Sequence, residues 1–103
     1  MYGLIRIGAA VPRTTVCDCI SNQEEILRLL AEAKKKNVQV LVFPELCVTG
    51  YTCGDLFFQQ SLLNTAERTV KELVKSSFGS DLLFAVGVPV RCNNQLFNCA
   101  ALI

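Results

Sequence analysis

Two apolar segments flank an amphipathic segment in the first 43 residues, and this order constrains the fold more than any other feature of the sequence. Residues 4–11, LIRIGAAV, predict a strand that Pro12 ends. Residues 38–43 predict a second strand in which only Gln39 is polar, so we expect both faces to be covered, as in a parallel strand between layers. A strand, a helix and a strand within about 40 residues predict a βαβ unit.

The segment between these strands has the pattern of a capped helix. Ser21 and Glu24 match a capping box, in which the Ser21 hydroxyl accepts an amide hydrogen and Glu24 reaches back to the first turn. The predicted helix ends near Lys36, and Asn37 is suited to the left-handed conformation that commonly follows a helix. Four apolar residues spaced three or four apart are expected to face inward: Ile26, Leu27, Leu30 and Ala33.

The remainder of the chain predicts one more helix and two more strands. Asp55 is expected to cap a second helical region that ends near Lys75. Residues 81–90 and 96–103 predict the third and fourth strands. The link between these two strands is too short for a crossover, so we expect an antiparallel pair. The expected fold class is therefore α/β, with the element order β-α-β-α-β-β.

Composition limits the possible classes of function. The chain has 103 residues and is 51% hydrophobic, which is more apolar material than so short a chain easily buries, so we expect part of its covering surface to lie outside it. The net charge of +1 gives no indication of a nucleic acid or a membrane as partner. No apolar run reaches the roughly 18 residues of a membrane span, and no basic region precedes the first apolar segment, so the cytoplasm is the default location.

The cysteines admit three interpretations: a disulfide framework, a metal site or reduced structural thiols. Disulfide scaffolds are typically secreted and poor in core residues, unlike this chain. A zinc site usually contains histidine or a C-x-x-C pair, and the sequence contains neither. We therefore favour reduced thiols that behave as small apolar side chains. The six residues are Cys17, Cys19, Cys47, Cys53, Cys92 and Cys99.

The end of the second predicted strand carries the sharpest functional signal. In open α/β sheets, functional groups gather at the carboxyl ends of parallel strands, and Glu45 is placed there. Pro44 fixes its own φ and ends the strand sharply. With Leu46 and Val48 nearby, the Glu45 carboxylate is expected to be partly desolvated, which favours a role as general base. The alternative is that Glu45 caps a turn or pairs with a lysine at the surface.

The sequence VLVFPELCVTGY at residues 40–51, followed by TCGDLF at 52–57, resembles the glutamate motif of the nitrilase, or carbon–nitrogen hydrolase, superfamily. The pattern F-P-E-L-x-x-T-G-Y with D-L-F is similar to the N-terminal glutaminase domain of glutamine-dependent NAD synthetases. The segments IRIGAAVP, GVPV and LFNCAALI follow the family's order, so the resemblance covers essentially the whole chain. It implies that residues 1–103 are the N-terminal portion of such a domain, a partial αββα sandwich truncated before its sheet is complete.

The resemblance also implies a Glu–Lys–Cys triad. In this family a cysteine thiolate attacks the side-chain amide of glutamine, ammonia leaves, and water resolves the glutamyl thioester. The lysine helps to stabilise the oxyanion. By motif, Glu45 takes the role of general base, Tyr51 lies at the mouth of the substrate pocket, and residues 55–57 shape that pocket. The triad lysine and cysteine are expected beyond Ile103, so the fragment alone is expected to be inactive, and Cys47 is interpreted as filler in the turn.

The partners follow from the same resemblance. Glutamine is the expected substrate of this part, while deamido-NAD and ATP with Mg²⁺ are expected to bind a synthetase domain that is absent from this chain. No cofactor or metal is expected in the fragment, and a homo-oligomer is expected for the parent protein. Two alternatives are another nitrilase-superfamily amidase that acts on a small amide, and a non-catalytic α/β fragment whose exposed strand edges favour self-association.

Overall fold

The computed structural model describes residues 3–103, which form one four-stranded sheet with two helices on one face. The order β-α-β-α-β-β that the sequence predicts is confirmed. The elements are β1 (Ile7–Ala9), α1 (Cys19–Lys35), β2 (Val40–Val42), a 3-10 helix (Gly54–Phe58), α2 (Gln60–Ser76), β3 (Leu83–Cys92) and β4 (Gln95–Leu102).

The strands lie in the order β1-β2-β3-β4. The first three are parallel, because a helix connects each to the next, and β4 is antiparallel to β3 as predicted. Asn93 and Asn94 form the hairpin turn with φ of 51° and 64°, and positive φ at both central residues is what a type I′ turn needs to match the right-handed twist of the strands. Pairing along the hairpin runs from Ala85 opposite Leu102 to Cys92 opposite Gln95.

Three predicted boundaries are wrong in detail. β1 and β2 contain three residues each, because regular hydrogen bonding between the strands covers only part of each apolar segment. The residue that caps α1 is Asp18 rather than Ser21: the Asp18 carboxylate accepts hydrogen bonds from the Ser21 amide at 3.0 Å and the Ser21 hydroxyl at 2.8 Å. The hydrogen bond from the Ser21 amide is the main reason that the pKa of Asp18 lies below its ordinary value.

The start of the second helix also differs from the prediction. Asp55 lies in the 3-10 helix, and Gln59 interrupts the helical path with an extended backbone before α2 begins at Gln60. The end of α1 agrees with the sequence, because Asn37 adopts the left-handed conformation with φ of 58°.

One hydrophobic core lies between the helices and the sheet. Phe43 and Phe84 pack edge to face in it, with ring centroids 6.3 Å apart. Of the face predicted for α1, three residues are buried and Leu27 is partly buried. The main core side chains are Ile26 and Leu30 from α1, Ala66 and Leu73 from α2, and Leu41, Phe84, Val86 and Val88 from the strands.

The opposite face of the sheet is apolar and uncovered. The expectation that both faces of β2 are covered is wrong within residues 3–103, because both helices pack against the same side: Val42 is 48% exposed and Leu102, two strands away, is 70% exposed. We call this surface the open face. Its apolar side chains include Ile7, Val42, Leu83 and Leu102, which the strand register places on one side. Contiguous apolar surface of this kind marks a site of packing against further protein.

Candidate active site

Glu45 lies in the tight turn that follows β2, at the carboxyl end of the parallel strands. The Phe43 amide still donates to the Ala85 carbonyl at 3.0 Å, so the chain remains tied to β3 immediately before Pro44. Leu46 then has φ of 52°, a left-handed conformation that residues other than glycine rarely adopt. Such strain costs on the order of 1–3 kcal/mol and persists only where the surrounding structure enforces it.

Gly87 of β3 provides the space for this turn. A β-carbon built on Gly87 would lie 2.2 Å from the Leu46 nitrogen and 2.8 Å from the Glu45 α-carbon. Gly87 is an ordinary strand residue, so glycine is needed there for steric reasons rather than for its backbone freedom. The Val48 amide donates to the Gly87 carbonyl at 3.2 Å, so the turn both rests on β3 and is hydrogen-bonded to it.

Asn22 of α1 holds the other side of the turn. Its side chain is 1% exposed and makes three hydrogen bonds: the amide nitrogen donates to the Val48 carbonyl at 2.9 Å and the Thr15 carbonyl at 2.8 Å, and the amide oxygen accepts from the Thr15 nitrogen at 2.7 Å. The sequence analysis missed Asn22. Its position four residues before Ile26, on the inward face of α1, is the signal that could have identified it.

Asn98 of β4 contacts Glu45 directly. Its side-chain nitrogen donates a hydrogen bond to Glu45 Oε1, across a separation of 53 residues in the chain. Glu45 is exposed in residues 3–103, so the predicted partial desolvation is wrong for this part of the protein, because the carboxylate lies at the edge of the open face. Sequence analysis did not identify Asn98, and no local pattern could have, since the contact depends on the register of β3 and β4.

A cleft of about 240 Å³ surrounds this pair. Val42, Ala85 and Gly87 line it from the central strands, and Asn98 and Ala100 line it from β4. Its remaining lining residues are Phe43, Pro44, Glu45, Val86 and Cys99. An apolar cleft that contains one carboxylate and one amide is suited to hold a small polar group beside a proton acceptor.

Tyr51 is 67% exposed and does not line this cleft, so its role at a pocket mouth stays a prediction. Phe57, from the segment expected to shape the pocket, lines an adjacent cavity of about 180 Å³ together with Leu46 and Asn98. Asn98 therefore lies between the two cavities.

Cys47 is buried, and this burial raises the pKa of its thiol above the ordinary value. A thiol that resists ionisation is a poor nucleophile, which agrees with the interpretation of Cys47 as filler in the turn. Burial likewise raises the pKa of the Cys19 and Cys53 thiols to about 11. The six cysteines are free thiols, and residues 3–103 contain no group of three or more potential ligands that could hold a metal ion.

Comparisons with known proteins, by sequence and by structure, are consistent with this site geometry. The carbon–nitrogen hydrolase family matches residues 6–103, and the chain belongs to that family. The chain is 34% identical to the glutamine-dependent NAD(+) synthetase of Mycobacterium leprae, over 98% of this chain and 15% of that protein. It therefore spans about 15% of the length of this relative.

Solved structures show the same likeness. The glutamine-dependent NAD(+) synthetase from Cytophaga hutchinsonii matches with a TM-score of 0.90 and 38% identity, over 96% of this chain and 17% of that chain. An amidase from Nesterenkonia sp. matches with a TM-score of 0.76 at 23% identity, over 95% of this chain and 37% of that chain, which shows a shared fold alone. The predicted fold class, part of a nitrilase-type α/β fold, is thus confirmed. Within the part of the chain that the structure describes, neither helix has the length and apolar character needed to cross a membrane.

Proposed function

We propose that residues 1–103 form the N-terminal portion of the glutaminase domain of a glutamine-dependent NAD synthetase, with Glu45 as general base. This proposal is supported by the similarity of the sequence to such synthetases together with the position of Glu45 in the fold. The chain matches such synthetases over nearly its whole length, and its only FPE glutamate lies at the carboxyl end of β2 beside a cleft.

In the proposed reaction, Glu45 accepts the proton of a cysteine thiol, and the thiolate attacks the side-chain amide carbon of glutamine. Glu45 then passes this proton to the amide nitrogen, the C–N bond breaks, and ammonia leaves, which gives a glutamyl thioester. Glu45 accepts a proton from a water molecule, whose oxygen attacks the thioester carbon; the C–S bond breaks, glutamate is released, and Glu45 returns the proton to the thiolate. A lysine stabilises the oxyanion in both steps. We assign the thiol and the lysine to the parent protein beyond residue 103, so residues 1–103 alone are proposed to be inactive.

The open face supports the assignment to a larger domain. Two helices cover one side of the sheet, while large apolar side chains such as Val42 and Leu102 remain exposed on the other. Packing a second sheet against that side would complete an αββα sandwich and would enclose the Glu45 cleft. Enclosure would also remove water from the carboxylate, which strengthens its electrostatic interactions.

The proposed parent protein uses the released ammonia in a separate synthetase domain. There ATP, with Mg²⁺, would transfer AMP to the carboxylate of deamido-NAD with release of pyrophosphate, and ammonia would attack the activated carbonyl carbon and displace AMP to give NAD. Tyr51 is proposed to lie at the mouth of the glutamine pocket, on the loop that follows the Glu45 turn. We also propose that the parent protein is a cytoplasmic homo-oligomer.

The experiment is a substrate comparison with the complete protein that contains this chain. We expect NAD to form from deamido-NAD, ATP and glutamine, and also when ammonium replaces glutamine. Hydrolysis of small amides such as acetamide, without any NAD formation from either nitrogen donor, would reject the synthetase assignment and favour the amidase alternative.

A further inference from the structure

We infer that Asn98 is a positioning residue for Glu45, fixing which carboxylate oxygen receives the proton. This inference rests on the proposed role of Glu45 as general base. Asn98 does not take part in proton transfer itself, because an amide side chain neither gains nor loses a proton at neutral pH. It acts through the orientation of the carboxylate.

The atoms that are hydrogen-bonded distinguish the two carboxylate oxygens of Glu45. An ionised carboxylate only accepts hydrogen bonds, so the group of Asn98 that faces it must be the NH₂ group. The bond goes to Oε1. Among residues 3–103, Oε2 of Glu45 has no hydrogen-bonding partner, and it is therefore the oxygen left to accept a proton. Asn98 thus holds Oε1 by a hydrogen bond and leaves Oε2 available to accept a proton.

Asn98 and Glu45 are both placed by the same strand, β3. Asn98 is paired opposite Pro89 of β3, and the turn that bears Glu45 rests on Gly87, two residues earlier in β3. Alternation along the hairpin puts Asn98 and Gly87 on the same face of the sheet. The base and its partner are therefore both positioned relative to β3 and do not depend on a flexible loop for their relative position.

Without Asn98, the side chain of Glu45 would be free to change its rotamer. Glu45 is exposed at the edge of the open face, and a glutamate side chain has three rotatable bonds before its carboxylate. Residues 3–103 supply one side-chain hydrogen bond to it, from Asn98. Loss of this bond would let the carboxylate move by an ångström or more, and misplacement of that size can slow a reaction by up to about 100-fold.

The test uses the complete protein and three variants. Asn98→Leu keeps a similar volume but removes the donor, and Asn98→Asp keeps the shape but replaces the donor with a negative charge. Asn64→Leu is the matched control, because Asn64 is an exposed amide on α2 whose side-chain partner is Gln60. Initial rates of glutamine hydrolysis give kcat and KM, and NAD formation from ammonium reports on the other half-reaction.

We expect both Asn98 variants to lower kcat for glutamine by about 10- to 100-fold with KM within about threefold, and Asn98→Asp to be the slower of the two. NAD formation from ammonium should be unchanged, as should every rate in Asn64→Leu. If Asn98→Leu fails to fold, the kcat of Asn98→Asp decides the test, because this variant keeps the shape of the native side chain.

Two results would overturn the inference: kcat within about threefold of the unaltered protein in both Asn98 variants, or a raised KM with unchanged kcat, which would make Asn98 a substrate-binding group. The same assays on Glu45→Gln separate this failure from that of the proposed function. If Glu45→Gln hydrolyses glutamine normally, the role of Glu45 as base is itself wrong. If Glu45→Gln is inactive and the Asn98 variants are not, only the positioning inference fails.

Discussion

The backbone nitrogen of Leu46 lies so close to Gly87 that a β-carbon on Gly87 would be 2.2 Å from it. The Glu45 turn therefore depends on the absence of one side chain in the neighbouring strand. The backbone that follows an apolar strand can take many paths, and here the close contact with Gly87 restricts the path of the chain at Glu45 and Leu46. The strained φ of Leu46 is held in place by the same contact.

Gly87→Ala should displace the Glu45 turn, because the atoms that the new methyl group meets are backbone atoms, which cannot rotate away. We expect a loss of about 1–3 kcal/mol in the free energy of unfolding, typical of overpacking, and a fall of up to about 100-fold in glutamine hydrolysis. Gly8→Ala is the matched control: Gly8 is also a strand glycine, and the atoms nearest to a β-carbon there are side-chain atoms of Leu41, at 3.2 Å, and Val38, at 3.5 Å, rather than backbone atoms. Urea unfolding and ammonia release from glutamine by the complete protein measure the two effects, and equal behaviour of the Gly87→Ala and Gly8→Ala variants would contradict the steric explanation.

Asn22→Asp should destabilise the protein although it preserves the shape of the side chain. The amide nitrogen of Asn22 donates to two carbonyls, of Thr15 and Val48, and a carboxylate oxygen in its place would face two acceptors without a hydrogen. We expect a loss of about 2–4 kcal/mol, since buried unsatisfied groups cost about 1–3 kcal/mol each. Asn64→Asp, on the exposed side of α2, serves as control. A melting temperature for Asn22→Asp equal to that of the control would show that this buried amide does not hold the turn.

The order of elements was predictable because it depends on local periodicity: apolar runs gave the strands, and 3–4 spacing gave α1. The residue that caps α1 was not predictable, because Asp18 and Ser21 are both good capping residues and lie three positions apart. Asp18 takes the position because one carboxylate can accept both the amide and the hydroxyl hydrogen of Ser21.

The candidate site was predictable only in part. Glu45 was identified from its place after an apolar strand and from the FPE motif. Asn98 and Gly87 could not be assigned a role, because their contacts with the turn arise from the strand register rather than from neighbouring residues in the chain. The exposure of Glu45 was mispredicted because Val48 is buried in the core and neither Leu46 nor Val48 lines the cleft around Glu45.

Acid should weaken the contact between α1 and the segment before it. Hydrogen bonds from the Arg28 side chain, and then from the Arg13 amide, lower the pKa of Glu25 from 4.5 to about 2. A carboxyl whose pKa is depressed on folding contributes stability that is present above its unfolded pKa and is lost as the pH falls through the folded value, here between about pH 4.5 and pH 2.

Glu25→Gln should therefore lower the free energy of unfolding above about pH 4.5 and reduce its further loss as the pH falls toward 2, with both effects small because the partner Arg28 is exposed. Glu67→Gln, which removes an exposed ion pair with Lys71 on α2, is the matched control. Urea unfolding at several pH values between 2 and 6 measures how steeply the free energy of unfolding changes with pH. An identical pH dependence in Glu25→Gln and the unaltered protein would contradict the assignment of this acid sensitivity to Glu25.

The most direct test of the central claim is the ratio of glutamine-dependent to ammonium-dependent NAD formation in Glu45→Gln of the complete protein. Glu72→Gln, which removes an exposed carboxylate on α2, controls for the loss of a negative charge. If Glu45 is the general base of the glutaminase, this ratio falls by at least about 100-fold while synthesis from ammonium is retained. An unchanged ratio, with glutamine still used at the normal rate, would contradict the account.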